Sequence, residues 1–217
     1  MTLDDVLTLL WAASITISLA VAGIALGLPI GLGLALVRSA RLPVLDQAIA
    51  ALVSLVRAAP IVTLALFVFF VLPGAGLELA PIPAAIVTLT LNTAAFNCEI
   101  FRAGLAAFPR EQLEAASAFG MRPATRFRRI VLPQLWRASL GPLVSEMTIV
   151  LKGTPAVAVI GVVEITRAAG RIGAQTYEPL PPFLAATVLY TILIAVLVRG
   201  QRFAEARIAR RYGYVAP

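Results

Sequence analysis

From Val6 to Val37 the chain runs without a charged residue. A helix rises about 1.5 Å per residue, so roughly 20 apolar residues cross the hydrocarbon core of a bilayer. This run is long enough on its own. A helix packed on a soluble core would carry a polar stripe for solvent, and few polar residues interrupt this one. The rest of the chain agrees. Mean hydropathy is +0.92, with 60% of residues hydrophobic and 13% charged, which excludes an ordinary soluble domain. The run is preceded by MTLDD, an acidic start without Lys or Arg. A secretory signal needs a basic start and a shorter apolar region, so the run is expected to be a retained first span.

The net charge is +7, and Lys152 is the one basic residue that is not arginine. Such a balance suits nucleic acid or a membrane surface, and the distribution decides between them. Five apolar segments, about 8–36, 50–72, 82–106, 139–163 and 182–199, read as spans. Fifteen of the seventeen arginines, among them Arg38, Arg41, Arg57, Arg210 and Arg211, fall on one side of these spans. Arg167 and Arg171 fall on the other. The positive-inside rule puts the fifteen in the cytoplasm, the N-terminus outside and the C-terminus inside. A nucleic-acid-binding protein would not alternate its arginines with spans, so no nucleic-acid partner is expected. The expected fold is all-α, one membrane domain over 1–217.

With no histidine and a single cysteine, Cys98, the chain has no disulfide framework and no Cys/His metal site. A Ser-His-Asp or Cys-His catalytic pair is equally impossible. Cys98 is expected to be a small core residue. Gly23, Gly27 and Gly31 share one face of the first span, where small residues let helices approach closely. Pro29 is expected to kink that span.

The largest inner loop, 109–138, contains EAASAFGMRPATRFRRIVLP at 114–133. Its pattern predicts two short amphipathic helices joined by a tight bend at Gly120, with Pro123 starting the second. Ala115, Ala116 and Phe119 fall on one face of the first helix. Arg122, Arg126 and Arg129 line a face of the second. Two plainer readings exist: a helix lying on acidic lipid, or a positive-inside loop and nothing more.

The spacing adds information. Glu114-Ala115-Ala116 is followed after three residues by Gly120, after nine more by Ile130, and then by Leu132-Pro133. This resembles the EAA loop of permease subunits of bacterial ABC importers. The likeness extends over about residues 10–208 and points to the polar amino-acid branch. FNCEIFRAG at 96–104, RAAP at 57–60 and SEMTIVLKGTP at 145–155 resemble segments of that branch. There are departures: Ala58 and Ala59 stand for Gly-Thr, Ser145 for Asn, Pro155 for Ser, and Glu111 for the usual Gly.

The resemblance implies a type I ABC importer permease fold of about five transmembrane helices in the bacterial inner membrane. It implies a coupling helix, with Glu114, Ala115, Ala116, Gly120 and Arg122 meeting a cytoplasmic ATPase subunit. No G-x-x-x-x-G-K-[ST] phosphate loop occurs in the chain. The permease is thus expected to be no enzyme and to hold no cofactor, with ATP-Mg bound by the partner ATPase. A second permease, identical or homologous, an external substrate-binding protein, and an amino-acid substrate complete the implied partners.

Ionisable residues within spans mark functional sites. Glu146 and Lys152 lie in the fourth expected span, six residues and so about 120° apart on a helix. KGTP at 152–155 suggests a break, with Thr154 capping a helix restarted at Pro155. Such an end offers free N–H groups to an anion. Glu146 would face an ammonium or a cationic side chain. Thr154 or Arg57 would face a carboxylate, and Asn92 would line the path or bond between helices. RAAP suggests a second break before Pro60. Glu99 and Arg102, at i, i+3, suit a structural pair, and Glu146 and Lys152 also suit pairing between helices. Two rival functions remain at this point. An ion-coupled carrier would need no ATPase. A membrane enzyme would use Glu99 or Glu146 as acid or base, but no reaction motif accompanies either.

Overall fold

The structure is a computed structural model that describes residues 1–40 and 42–212. Arg41 and residues 213–217 lie outside it, as do the side chains of Arg210 and Arg211. Helices α1 (Leu3–Ser39), α4 (Pro81–Ala106), α7 (Leu132–Gly153) and α9 (Leu180–Tyr212) form the bundle. No strand occurs among the described residues. Four stretches, Leu3–Ser39, Pro81–Ala106, Pro123–Ile160 and Leu180–Phe203, are long and apolar enough to cross a membrane, and a bent pair makes a fifth.

Thr2 starts α1 with a reciprocal cap: its Oγ1 accepts from the Asp5 N–H at 3.3 Å, and Asp5 Oδ2 accepts from the Thr2 N–H at 2.6 Å. The helix then passes through Pro29 as one element. Its main neighbour is α4, and the expected glycine face makes the contact. A Cβ at Gly23, Gly27 or Gly31 would stand 2.7, 2.6 or 2.7 Å from the Cβ of Leu89, Thr93 or Asn97. Both series advance together, so the two helices run parallel. Cys98 is fully buried in the cluster beside this seam, with Phe101, Leu135 and Leu143.

The expected second span is not straight. Helix α2 (Pro43–Ala58) meets α3 (Ile61–Leu66) at a bend of 111° across Ala59 and Pro60. Ala59 is extended (φ −72°, ψ 131°), because a residue before proline is pushed out of the helical region. The break suspected from RAAP is therefore present, and α3 continues through a π turn, Phe67–Val71, and a 3-10 turn to Ala75.

Two expectations need correction in the following segment. Helix α5 (Arg110–Ala118) is the predicted first loop helix, but the second is not short and separate. Helix α6 (Pro123–Arg126) runs through a π turn, Phe127–Val131, into α7, so the fourth span begins inside the loop. No breaker lies between the two. The one proline there, Pro133, follows the π turn, whose wider hydrogen-bond spacing accommodates a ring that would otherwise clash with the preceding turn. At the other end, Thr154 caps no restarted helix. It keeps helical angles (φ −57°, ψ −30°), and the chain tightens into a 3-10 turn, Thr154–Ile160, that ends at Gly161 with φ +101°. Pro155 cannot donate to the Leu151 carbonyl four residues back. That carbonyl accepts from the Thr154 N–H and also from the Thr154 hydroxyl, the latter at 2.8 Å.

Helix α8 (Ile165–Thr176) lies between the fourth and fifth expected spans, in the segment of Arg167 and Arg171. Its Ile165, Ala168, Ala169 and Ile172 pack against Leu9, Ala12 and Ala13 of α1 and Ala186 of α9. Glu164, fully buried, caps it: Oε1 accepts from the Arg167 N–H at 2.7 Å and Oε2 from the Thr166 N–H at 2.9 Å. Tyr190 of α9 donates its hydroxyl to the same carboxylate at 2.7 Å. Glu164→Ala removes the cap and the shorter of the two hydroxyl contacts of Tyr190, a loss of about 2 kcal/mol. The purified protein should then melt roughly 4–8 °C lower in a thermal-shift assay, and Glu164→Asp should recover part of the loss.

Candidate functional site

The inner loop folds into a rigid corner. Helix α5 ends with Gly120 at φ +71°, its N–H donating to the Ser117 carbonyl at 2.9 Å, while the Met121 N–H donates to Ala116 at 3.1 Å. This is the paired-bond helix ending that favours glycine. Arg126 of α6 reaches back to the Leu113 carbonyl at 3.4 Å and donates to the Ser117 hydroxyl. Gln134 of α7 donates to Gln112 of α5 at 2.9 Å. The outer surface of the corner carries Glu114, Ala115, Phe119, Gly120 and Arg122, all exposed. Phe119 is 88% exposed, a large aromatic group left to water at the tip of an ordered corner. Ala116 does not share this surface as expected. It is buried, and its small side chain lets α5 lie close to what is beneath it.

Above the corner, one polar cluster ties three helices. Arg38 Nε bonds Asp46 Oδ1 at 2.9 Å, and Arg38 also bonds Glu99. Glu99 Oε2 accepts from Arg102 Nη2 at 2.7 Å. The Glu99–Arg102 pair was legible at its i, i+3 spacing. The Arg38 and Asp46 members come from α1 and α2, far from Glu99 in sequence, and no local signal points to them.

The intramembrane candidates divide into those gathered around α4 and those elsewhere. Glu146 of α7 is 4% exposed, and its Oε1 has no hydrogen-bond partner among the described residues. Arg57 is near enough to act on it electrostatically, but forms no ion pair with it. Arg57 sits at the end of α2, just before the 111° bend, with its guanidinium 5.1 Å from the centroid of Phe96 on α4. Asn92 is buried on α4 one turn before Phe96. Arg57, Glu146 and Asn92 therefore belong to one neighbourhood. Lys152 is exposed and does not share the burial of Glu146. Thr154 is buried and committed elsewhere: besides Leu151, its hydroxyl lies 3.3 Å from that of Tyr190, which leads to Glu164. Glu164 is the ionisable residue that sequence reasoning passed over. The available signal was an acidic residue directly before a short amphipathic run, the position of an N-cap.

Comparison with known proteins then decides the family. Residues 27–210 match the family described as binding-protein-dependent transport system inner membrane component. The chain belongs to this family. It is 34% identical over 196 residues to the probable glutamine ABC transporter permease protein GlnP of Bacillus subtilis, covering 89% of this chain and 90% of that one. It is 31% identical over 197 residues to the arginine transport system permease protein ArtQ of the same organism, covering 90% of each. A chain of an amino acid ABC transporter crystallised with histidines superposes with a TM-score of 0.84 at 25% identity, over 95% of this chain and all of that one.

As an ABC importer permease, the chain is a multi-pass inner-membrane transport subunit of all-α type I fold. Permeases of this family work with ATPase subunits and a second permease. The carrier and membrane-enzyme readings fall away with that membership. The continuous helix from Pro123 to Ile160 has a mechanical consequence. The corner's α6 joins the Glu146 region through a π turn and the Pro142 position of α7, so displacement of the corner reaches the membrane helix through α6.

Proposed function

We propose that this permease forms half of an ATP-driven import pathway for polar amino acids, with the N-terminus outside and the arginine-rich corner in the cytoplasm. ATP-Mg is bound by a separate ATPase that grips Glu114, Ala115, Gly120 and Arg122, with Ala116 supporting them from beneath. Closure of two ATPases brings two corners together and tilts the attached α7 helices, which exposes the path alternately to either side. An external binding protein delivers the substrate. The exposed corner, braced by hydrogen bonds to the helix that leads to the membrane carboxylate, carries this reading. The arginine asymmetry supports the orientation, and the relatives named for glutamine and arginine transport support the substrate class.

An amino acid carries an ammonium and a carboxylate, and Glu146 and Arg57 offer the complementary charges. Glu146 binds the ammonium or a cationic side chain, and Arg57 the carboxylate, with Asn92 beside them. Thr154 is a weaker candidate, because its hydroxyl is committed to Leu151 and Tyr190, while Lys152, exposed like Arg57, is a second cation available to the carboxylate. The test is uptake by proteoliposomes holding the permease, its co-purifying ATPase and binding protein. ATP-dependent accumulation of amino acids is expected, and accumulation without an ATPase would refute the proposal. Glu146→Gln should lower uptake about tenfold or more, the cost of losing one charged hydrogen bond, with cationic substrates hit hardest. Unchanged uptake and preference would remove Glu146 from the site.

A further inference from the structure

Where α4 ends and α7 begins, the chain encloses an open pocket of about 400 Å³. Gly104 and Phe108 line it from the α4 side, and Arg129, Ile130, Leu135 and Arg137 from the other. The position is specific. The apolar helix α4 stops at Ala106, and the arginine-rich loop starts at Arg110, so the pocket lies at the depth of lipid headgroups. Trp136, 41% exposed and stacked on Phe101 with centroids 6.3 Å apart, is an aromatic group of the kind that settles at this boundary. Arg129 is exposed and forms no ion pair among the described residues.

We propose that this pocket binds the headgroup of an anionic phospholipid of the inner leaflet. A guanidinium matches a phosphate with paired N–H donors, and Arg129 and Arg137 bring two of them to one cavity. Phe108 and Ile130 form a half-buried apolar wall beside them. A lipid covers that wall with the first part of its acyl chains, whereas a soluble phosphate would leave it bare. The bound lipid bridges the end of α4 and the root of α7. It thereby stiffens the joint through which the corner drives the membrane helices. The terminal carbonyls of α4 also favour arginine nearby, but that role needs no ligand.

The test uses the intact complex with its ATPase, purified in mild detergent and exposed to equal amounts of phosphatidylglycerol and phosphatidylcholine. Native mass spectrometry reads the lipid that stays bound, independently of transport. The wild type is expected to retain phosphatidylglycerol preferentially. The double variant Arg129→Gln/Arg137→Gln should reduce that retention by about thirtyfold, and Arg207→Gln, which removes an arginine outside the pocket, should not. Should the double variant fail to assemble, Ala138→Glu decides, since it sets a negative charge at the exposed rim and should expel the lipid with both arginines in place. Inorganic phosphate at millimolar concentration should not displace the lipid. Equal retention in wild type and variants, or displacement by phosphate alone, would overturn the proposal.

Discussion

Gly120→Asp leaves the chain inserted and folded and lowers ATP-driven transport by more than about thirtyfold, the loss of a central interface contact. Within the chain the substitution meets little opposition. No atom lies within 4 Å of a Cβ built at Gly120. The backbone there is left-handed, φ +71°, which costs a non-glycine residue roughly 1–2 kcal/mol, and aspartate and asparagine tolerate it best. The new carboxylate therefore points away from the permease into the space a docking ATPase must fill, beside the exposed Phe119 and Ala115. Desolvating an unpaired charge in that contact is what uncouples the two proteins. The checks are membrane insertion, thermal stability, and stimulation of the ATPase by substrate-loaded binding protein. Gly120→Asn carries similar backbone strain without the charge and should retain more transport. Wild-type transport by the aspartate variant would rule out this corner as the docking point.

Gly27→Val has the second large effect, and it acts on the fold. A Cβ at that position would lie 2.6 Å from Thr93 Cβ, 2.7 Å from Thr93 Cγ2 and 3.0 Å from the Thr90 carbonyl. Those atoms sit on or next to the α4 backbone, so no rotamer change relieves the clash. The two parallel helices must separate, and the same spreading loosens the contacts of Gly23 and Gly31. Overpacking of this kind costs about 1–3 kcal/mol even where side chains can adjust, and here the upper end or more is expected. Gly33 is the control. It lies on the same helix with nothing within 4 Å of its Cβ position, so Gly33→Val should insert and melt like the wild type. If the two variants proved equally stable in detergent, the close approach of α1 and α4 would not be what holds the bundle.

The glycine face shows where sequence reading succeeds. Glycines four apart in an apolar helix are a local pattern, and any partner helix would exploit them. The same holds for the spans, which follow from the length of uncharged runs, and for the inner corner, whose Gly120 and Pro123 punctuate the backbone directly. The bend at Pro60 was legible for the same reason, since proline constrains its predecessor whatever surrounds it.

Other features were settled by contacts between distant segments. Whether Pro155 restarts a helix depended on where the Thr154 hydroxyl went, and it donates to the Leu151 carbonyl rather than capping a new helix. Helix α8 is a short amphipathic run whose apolar face is covered by α1 and α9, so its burial was decided by those distant partners. Ala116 differs from Ala115 only in which way it turns, and the back-bonding of Arg126 holds that turn. Arg38, Asp46 and Glu99 met because three helices converged, and Arg57 came to lie over Phe96 because the bend at Pro60 set the end of α2 beside the centre of α4. Backbone conformation at glycine and proline, and solubility in lipid, are properties a residue carries with it, so sequence order alone determined which segments are apolar enough to span and where the corner turns. Charge pairing and burial belong to no single residue, and the packed bundle decided them.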